Sequence, residues 1–334
     1  MADRIRAQAA RAARGPLEPF EYEPAPLGDH DIEIRISHCG ICHSDVHLVD
    51  DDWGISAYPL VPGHEVVGHV AAAGRHVSHL AVGDRVGVGW YRSTCLHCNE
   101  CLRGNDNLCL ANQATCVGHH GGFADRVRLS SEWAFRVPAA LDAAAVAPLL
   151  CGGITLYGGY RAAGLHPSMR VGIVGLGGLG HLGVRFARAF GCEVTVFSRT
   201  AAKRADAMAM GAHRFVAPGA DAAEPGRYDL IVSTAPADLD WQAMVDLLRP
   251  DGTLLFVGVP GKPVSVGAFP LIAGRRRIMG SPTGSRWMIN EMLEFAARHG
   301  IEAQVERHPF AEANAALDRV RRGEARYRAV LEMP

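Results

Sequence analysis

The chain has 334 residues, long enough for two domains, and its 34 Lys+Arg against 35 Asp+Glu leave a net charge of −1. That balance excludes a global basic field for nucleic acid or anionic lipid, and 48% apolar with 21% charged residues excludes a disordered chain. No apolar run reaches the ~18–20 residues of a membrane helix, and the N-terminal MADRIRAQAARAARG lacks the apolar core of a secretory signal, so a cytoplasmic protein without membrane or nucleic-acid partners is expected.

Residues 1–14 have the Ala/Arg composition of a helix. DIEIRIS (31–37) alternates apolar and polar residues and predicts a strand; HEVVGHVAAAG (64–74), GDRVGVGW (83–90) and GGFADRVRL (121–129) predict short strands between glycine turns. The first half therefore reads as a Gly-punctuated β domain. Near residue 150 the character changes. Strand MRVGIVG (169–175), helix HLGVRFARAFG (181–191), strand EVTVFS (193–198) and helix TAAKRADAMAMG (200–211) follow. Then come strands HRFVA (213–217) and YDLIVST (228–234), helix DLDWQAMVDLLR (238–249) and strand GTLLFVGV (252–259). Strands alternating with helices of this length predict a parallel sheet. RRRIMGS (275–281) offers a sixth strand, and its three arginines read as a solvated turn; two helices and strand RYRAVLEM close the chain.

Nine cysteines in a chain with no export signal point to metal before disulfide. Cys95, Cys98, Cys101 and Cys109 are spaced so that four thiolates on a loop can surround one Zn2+ with no open position, which makes such a site structural. A ferredoxin-type run has different spacing. GLGGLG, Gly175 to Gly180 (Gly175, Leu176, Gly177, Gly178, Leu179, Gly180), follows a predicted strand and opens a predicted helix. That is the context a dinucleotide pyrophosphate requires. At the end of the next strand stand Ser198 and Arg199, followed by Lys203, with no carboxylate; a hydroxyl and cations suit a 2′-phosphate, hence NADP. A third group of soft or borderline donors is dispersed: Cys42, His64 and Cys151 would form a Cys2His catalytic set, but Cys39, His43, His47 and His69 compete as ligands on sequence alone.

CGICHSDVH, VPGHEVVG, the four-cysteine lobe, APLLCGGIT, GLGGLGHLG and RYRAVL occur in one order. In these the chain resembles the zinc-dependent medium-chain dehydrogenases, and within them the cinnamyl-alcohol-dehydrogenase-like branch with its NADP-dependent bacterial aldehyde reductases. The resemblance runs from about residue 17 to the end. It implies an α/β protein: a GroES-like β-rich catalytic domain (1–152, with a structural zinc lobe at 90–112), a Rossmann NADP-binding domain (153–283) and a return to the catalytic domain (284–334). It implies a strand, not a helix, at the N-terminus. It chooses Cys42 over Cys39, adds His64 and Cys151, and puts Glu65 near the open metal position. It makes Asp45 an orienting partner of a ligand, Ser44 the hydroxyl on the substrate oxygen (also beside the cofactor) and His47 the far end of a proton relay. It places Thr155, Thr234, Gly258, Ser281, Thr283 and Arg328 at the cofactor, and Trp53, Tyr91 and Ala114 at the substrate pocket. Cys39, Cys116 and Cys192 are left as packing residues.

The resemblance further implies two zinc ions and one NADP(H) per chain, a small alcohol or aldehyde of medium or aromatic size as substrate, and a homodimer. Two departures from the branch bear on the substrate. Ala114 stands where plant members carry a tryptophan, and LYGGYRAAG replaces a proline-containing turn. An NAD-preferring or dual-specificity enzyme is the nearest alternative. A zinc-free quinone or enoyl reductase would lack the Cys/His set, and a dinucleotide-binding sensor would not need Ser44, His47 and an open metal position.

Overall fold

The computed structural model describes residues 4–217 and 224–334, in two units, Met1–Gly152 with Ser285–Pro334, and Gly153–Gly284. The N-terminal segment is a strand: Ile5–Ala10 pairs antiparallel with Leu17–Tyr22. Its composition suits a helix, but Ile5, Ala7 and Ala9 are buried while Arg6 faces out and bonds Asp125. Burial with a period of two outweighs a propensity difference of a few tenths of a kcal/mol per residue.

The first unit is built on a seven-stranded sheet. Strands Val305–Pro309, Arg328–Glu332, Asp31–Ile41, Glu65–Ala73, Arg85–Val88 and Phe135–Arg136 follow in spatial order, with Arg126–Ser130 also on Asp31–Ile41. All pairs are antiparallel except the first. The 11-residue strand Asp31–Ile41 positions the chemistry. Near its end Gly40 pairs with Glu65 and Ile41 with Ala329, so the chain leaves toward Cys42 beside the start of two other strands. Gly40 has to lack a side chain: a Cβ there would lie 2.0 Å from Glu65 Oε2.

The second unit holds six parallel strands. Counted along the chain they lie in the order 3-2-1-4-5-6, from Arg214–Val216 through Glu193–Phe197, Arg170–Val174, Tyr228–Ser233 and Leu248–Phe256 to Arg277–Gly280. This is the doubly wound order, which places a ligand crevice where the strand order reverses, outside the carboxyl end of strand 1. The central strands are apolar almost throughout because helices cover both faces. Two predicted helices are shorter than their patterns: Arg204–Ala209 after a 3-10 turn, and Trp241–Asp246, whose following residues Leu248–Phe256 go to strand. No single helix among the described residues is long and apolar enough to cross a membrane.

Candidate metal and dinucleotide sites

Cys42 caps the helix His43–Asp50, and Asp45 is its third residue. Asp45 is fully buried and serves three donors. One oxygen accepts the Cys42 N–H at 2.9 Å; the other accepts the Gly63 N–H and His64 Nδ1, both at 2.9 Å. Gly63, at φ 103, has Phe123 and Cys39 Sγ within 2.9 Å of any Cβ, so the turn that delivers His64 is closed to other residues. With Nδ1 committed to Asp45, His64 turns Nε2 to Cys151 Sγ at 3.3 Å, and Cys151 Sγ lies 3.8 Å from Cys42 Sγ. A tetrahedral zinc with ~2.3 Å bonds to sulfur and ~2.0–2.1 Å to nitrogen separates two sulfurs by about 3.8 Å and a sulfur–nitrogen pair by about 3.6 Å. The donor set fits that ion.

Glu65 is the fourth donor of this group, whose ligand atoms all lie within 4.8 Å of one another. It is fully buried; Oε1 accepts from Arg328 Nη2, and Oε2 has no hydrogen-bond partner. Burial pushes its carboxyl up to about 7, against the downward pull of Arg328. A buried carboxylate oxygen left without a donor is what a nearby cation would satisfy. Burial alone would lower the His64 pKa, yet Asp45 and Cys151 hold it well above its ordinary value. The two thiols share a proton: the hydrogen bond from Cys151 holds Cys42 well below the usual thiol range and keeps Cys151 well above it. The surroundings that favour a proton on the ring and a negative charge on sulfur are those a divalent cation needs.

The four lobe cysteines also have their sulfurs within 4.8 Å of one another. Cys95 Sγ is 3.6 Å from Cys109 and 3.9 Å from Cys101, near the ~3.8 Å of a tetrahedral Zn–S4 centre and far beyond the ~2.05 Å of a disulfide. The backbone N–H groups of His97 and Cys98 hold the Cys95 thiol at about 6, ready as thiolate, while burial pushes Cys101 up to about 12. Buried Asp106 ties the lobe to the helix Arg286–His299, accepting Arg286 N at 3.0 Å and Nε at 2.5 Å.

In the second unit the glycine turn leaves strand Arg170–Val174 with Gly175 at φ 92 and opens helix Gly180–Ala189. A Cβ on Gly180 would meet the Gly175 carbonyl at 2.0 Å, whereas Gly177 faces open space, as a backbone that receives a pyrophosphate requires. Thr234 Oγ1 donates to the Val174 and Gly175 carbonyls at 2.9 and 3.2 Å, so it clasps this turn. Gly258 packs against Thr234, where a Cβ would come within 2.8 Å of its backbone. Ser198 is half-buried just past strand Glu193–Phe197 and accepts the Thr200 N–H at 3.3 Å. Arg199 is exposed and has no hydrogen-bond or ion-pair partner among the described residues. Lys203 is otherwise engaged: its Nζ donates to the Leu176 carbonyl at 2.7 Å. Ser281 donates to the Pro282 carbonyl, and Thr155 and Thr283 are half-buried.

The surroundings of several further residues are set by packing. Tyr91 turns away from the Cys42 group: its hydroxyl donates to the Asn107 carbonyl at 3.0 Å and its ring meets Trp133 at 5.4 Å. Ala114 pairs with it in the lobe's small sheet. The aromatic residue on the metal group is Trp90, edge-on to His64 at 4.9 Å and to Trp53 at 6.1 Å. Neighbouring residues of an extended chain point to opposite sides, so Trp90 and Tyr91 meet different neighbours. Arg328 is buried with its guanidinium on Glu65 and the Ile41 carbonyl, because a buried carboxylate demands a cation. Cys116 is fully buried, and its sulfur lies within 4.8 Å of ligand atoms of Asp45 and His64. Ser44 Oγ lies 3.7 Å from Cys42 Sγ; His47 Nδ1 lies 2.7 Å from Asp52, and its ring packs 5.1 Å from Trp53. Nothing in the sequence singled out Trp90 or Asp52.

The chain is similar to known proteins along nearly its whole length. Residues 28–139 match the model of the alcohol dehydrogenase GroES-like domain, and residues 178–298 that of the zinc-binding dehydrogenase domain. The chain is 46% identical to an aldehyde reductase of Synechocystis over 98% of both chains. Among solved structures it is similar to a cinnamyl alcohol dehydrogenase of Sorghum bicolor (TM-score 0.94, 36% identity, covering 99% of this chain and 98% of that one). It is also similar to a Helicobacter pylori cinnamyl alcohol dehydrogenase complexed with NADP(H) (TM-score 0.91, 30% identity, 99% of each chain).

Proposed function

The chain belongs to the zinc-dependent medium-chain alcohol dehydrogenases, in the cinnamyl-alcohol-dehydrogenase-like branch, and from that premise we propose that it interconverts medium-sized or aromatic aldehydes and primary alcohols with NADP(H), using a zinc on Cys42, His64 and Cys151. The observation that carries this reading is the 3.3 and 3.8 Å spacing of those three donors, with Asp45 locking the tautomer of His64. When bound, zinc acts as a Lewis acid on the substrate oxygen and the nicotinamide gives or takes the hydride. Ser44, beside Cys42, holds the hydroxyl proton of the alcohol. His47, half-exposed and bonded to Asp52, exchanges that proton with solvent. Trp53 and Trp90 supply flat apolar walls that reward a ring more than a methyl group.

Ser198 and Arg199 are the residues proposed to select NADP. With Lys203 engaged by Leu176, the charge-assisted contact to a 2′-phosphate falls to Arg199. One such bond is worth roughly 1.5–3 kcal/mol, or about 10- to 100-fold. A panel of aldehydes with both cofactors tests the whole reading. The expected result is a higher kcat/KM for benzaldehyde than for acetaldehyde and for NADPH than for NADH. Arg199→Ala should weaken NADPH use by about that factor and leave NADH use nearly unchanged. Equal use of the two cofactors, or an equal loss in both, would contradict the charge argument; acetaldehyde as the best substrate would contradict the pocket.

The proposed assembly is a homodimer. Strand Arg277–Gly280 is an edge of the six-stranded sheet and pairs only with Leu248–Phe256 among the described residues. The helix Ala268–Gly274 that precedes it in the chain exposes Phe269 and Ile272. An open edge with apolar neighbours is a template for a second copy. Light scattering at micromolar concentration should give twice the chain mass; the monomer mass would reject the pairing. Six thiols committed to metal, with no disulfide among the nine cysteines, suit a reducing compartment such as the cytoplasm.

A further inference from the structure

The first unit contains a cavity of about 340 Å³ whose lining includes none of the metal-site residues. That volume lies in the range of small-molecule sites, ~300–1,000 Å³. Its polar lining is cationic or neutral: Arg92, Arg128, His119 and His120, with Tyr22 and Tyr58 as further walls, and no carboxylate among its described lining residues. The two guanidinium groups differ. Arg128 is neutralised, with Nε 2.6 Å from Glu33 Oε2. Arg92 is half-buried, donates to the Arg128 carbonyl at 2.8 Å and has no carboxylate within ion-pair distance among the described residues. A partly buried cation whose one hydrogen-bond acceptor is neutral retains donors, and Asp31 acts on its charge only through space, without an ion pair.

The remaining walls are flat. The His120 ring packs 4.3 Å from Tyr22 and 5.4 Å from Phe20, and the Tyr58 hydroxyl donates to the Val49 carbonyl at 3.0 Å, which leaves its ring as the surface. Burial lowers the pKa of both histidines, and Arg92 adds to the effect, so near neutral pH they are uncharged donors. The cavity thus carries one guanidinium without an ion-pair partner among aromatic rings. A dianion such as phosphate would be only half neutralised and would waste the apolar walls.

We propose that this cavity is a second ligand site, separate from the metal group, for a small aromatic monocarboxylate whose carboxylate pairs with Arg92 and whose ring lies among Tyr22, Tyr58 and His120. The test is isothermal titration of the zinc-loaded enzyme with benzoate, benzamide and inorganic phosphate. Benzoate should bind at least tenfold more tightly than either of the others. Arg92→Gln should raise the benzoate Kd at least tenfold. Ala25→Trp, which fills the cavity and keeps every charge, should do the same and settles the matter if the first variant does not fold. In both, kcat/KM for benzaldehyde should stay within twofold. A carboxylate bound at the catalytic metal is indifferent to both changes, so an unchanged Kd in the variants overturns the proposal. So does the absence of benzoate binding, or phosphate binding as tightly as benzoate.

Discussion

Replacing Cys42 with alanine is expected to abolish turnover while leaving a folded chain that holds one zinc fewer. The thiol is one of three donors at 3.3–3.8 Å spacing, and its loss leaves His64 and Cys151 to hold a cation alone. Lewis-acid stabilisation is worth several kcal/mol, and at ~1.4 kcal/mol per factor of ten its loss costs roughly 1,000-fold or more in rate. The fold should survive because the structural bond at this position comes from the backbone: Cys42 N–H donates to Asp45, and alanine keeps that donor. Asp45→Ala should behave differently. It removes the acceptor of Cys42, Gly63 and His64 together, so both metal affinity and melting temperature should fall. Metal analysis and circular dichroism on the two variants check this contrast; full activity in Cys42→Ala would contradict it.

The second large effect is expected from Cys98→Ala, and it should be a loss of stability. The lobe has little core of its own: it contains the four-residue helix Asn99–Leu102 and the 3-10 turn Asp106–Leu108, and Leu102, Leu108 and Leu110 are exposed. Four sulfurs on one ion supply the missing core. Structural zinc contributes roughly 10–16 kcal/mol in isolated finger peptides. A loss of only ~3 kcal/mol here would lower Tm by about 6–12 °C in a domain of this size. The folded fraction should keep a kcat near that of the parent, because the lobe supplies none of the Cys42 group. Calorimetry with zinc analysis decides it: a content falling from two to one with a lower Tm is expected, and an unchanged Tm with two zincs would remove the lobe's structural role.

Much of the fold is legible in the sequence because its signals are local. Glycines at Gly175 and Gly180 are required by φ and by a 2.0 Å approach, and four cysteines close together in sequence are close in space. What escaped depends on contacts between segments far apart. Trp90 and Tyr91 are adjacent, and only the packing of His64 and Trp133 tells which ring faces which way. Lys203 looks like a phosphate ligand until the Leu176 carbonyl is seen beside it. Arg328 and Glu65 are 263 residues apart, and only the register of two strands on Asp31–Ile41 brings them together. At Ile5–Ala10 helix propensity points the wrong way, because the partner that buries alternate residues is a separate strand.

The most direct test of zinc-dependent turnover follows NADPH oxidation at 340 nm with benzaldehyde before chelation, after chelation and after zinc is returned. Turnover is expected in the first state and loss to background in the second. With NADPH still bound and the chain still folded, zinc should restore the rate to the untreated level. Turnover that continues undiminished in metal-free protein would contradict it.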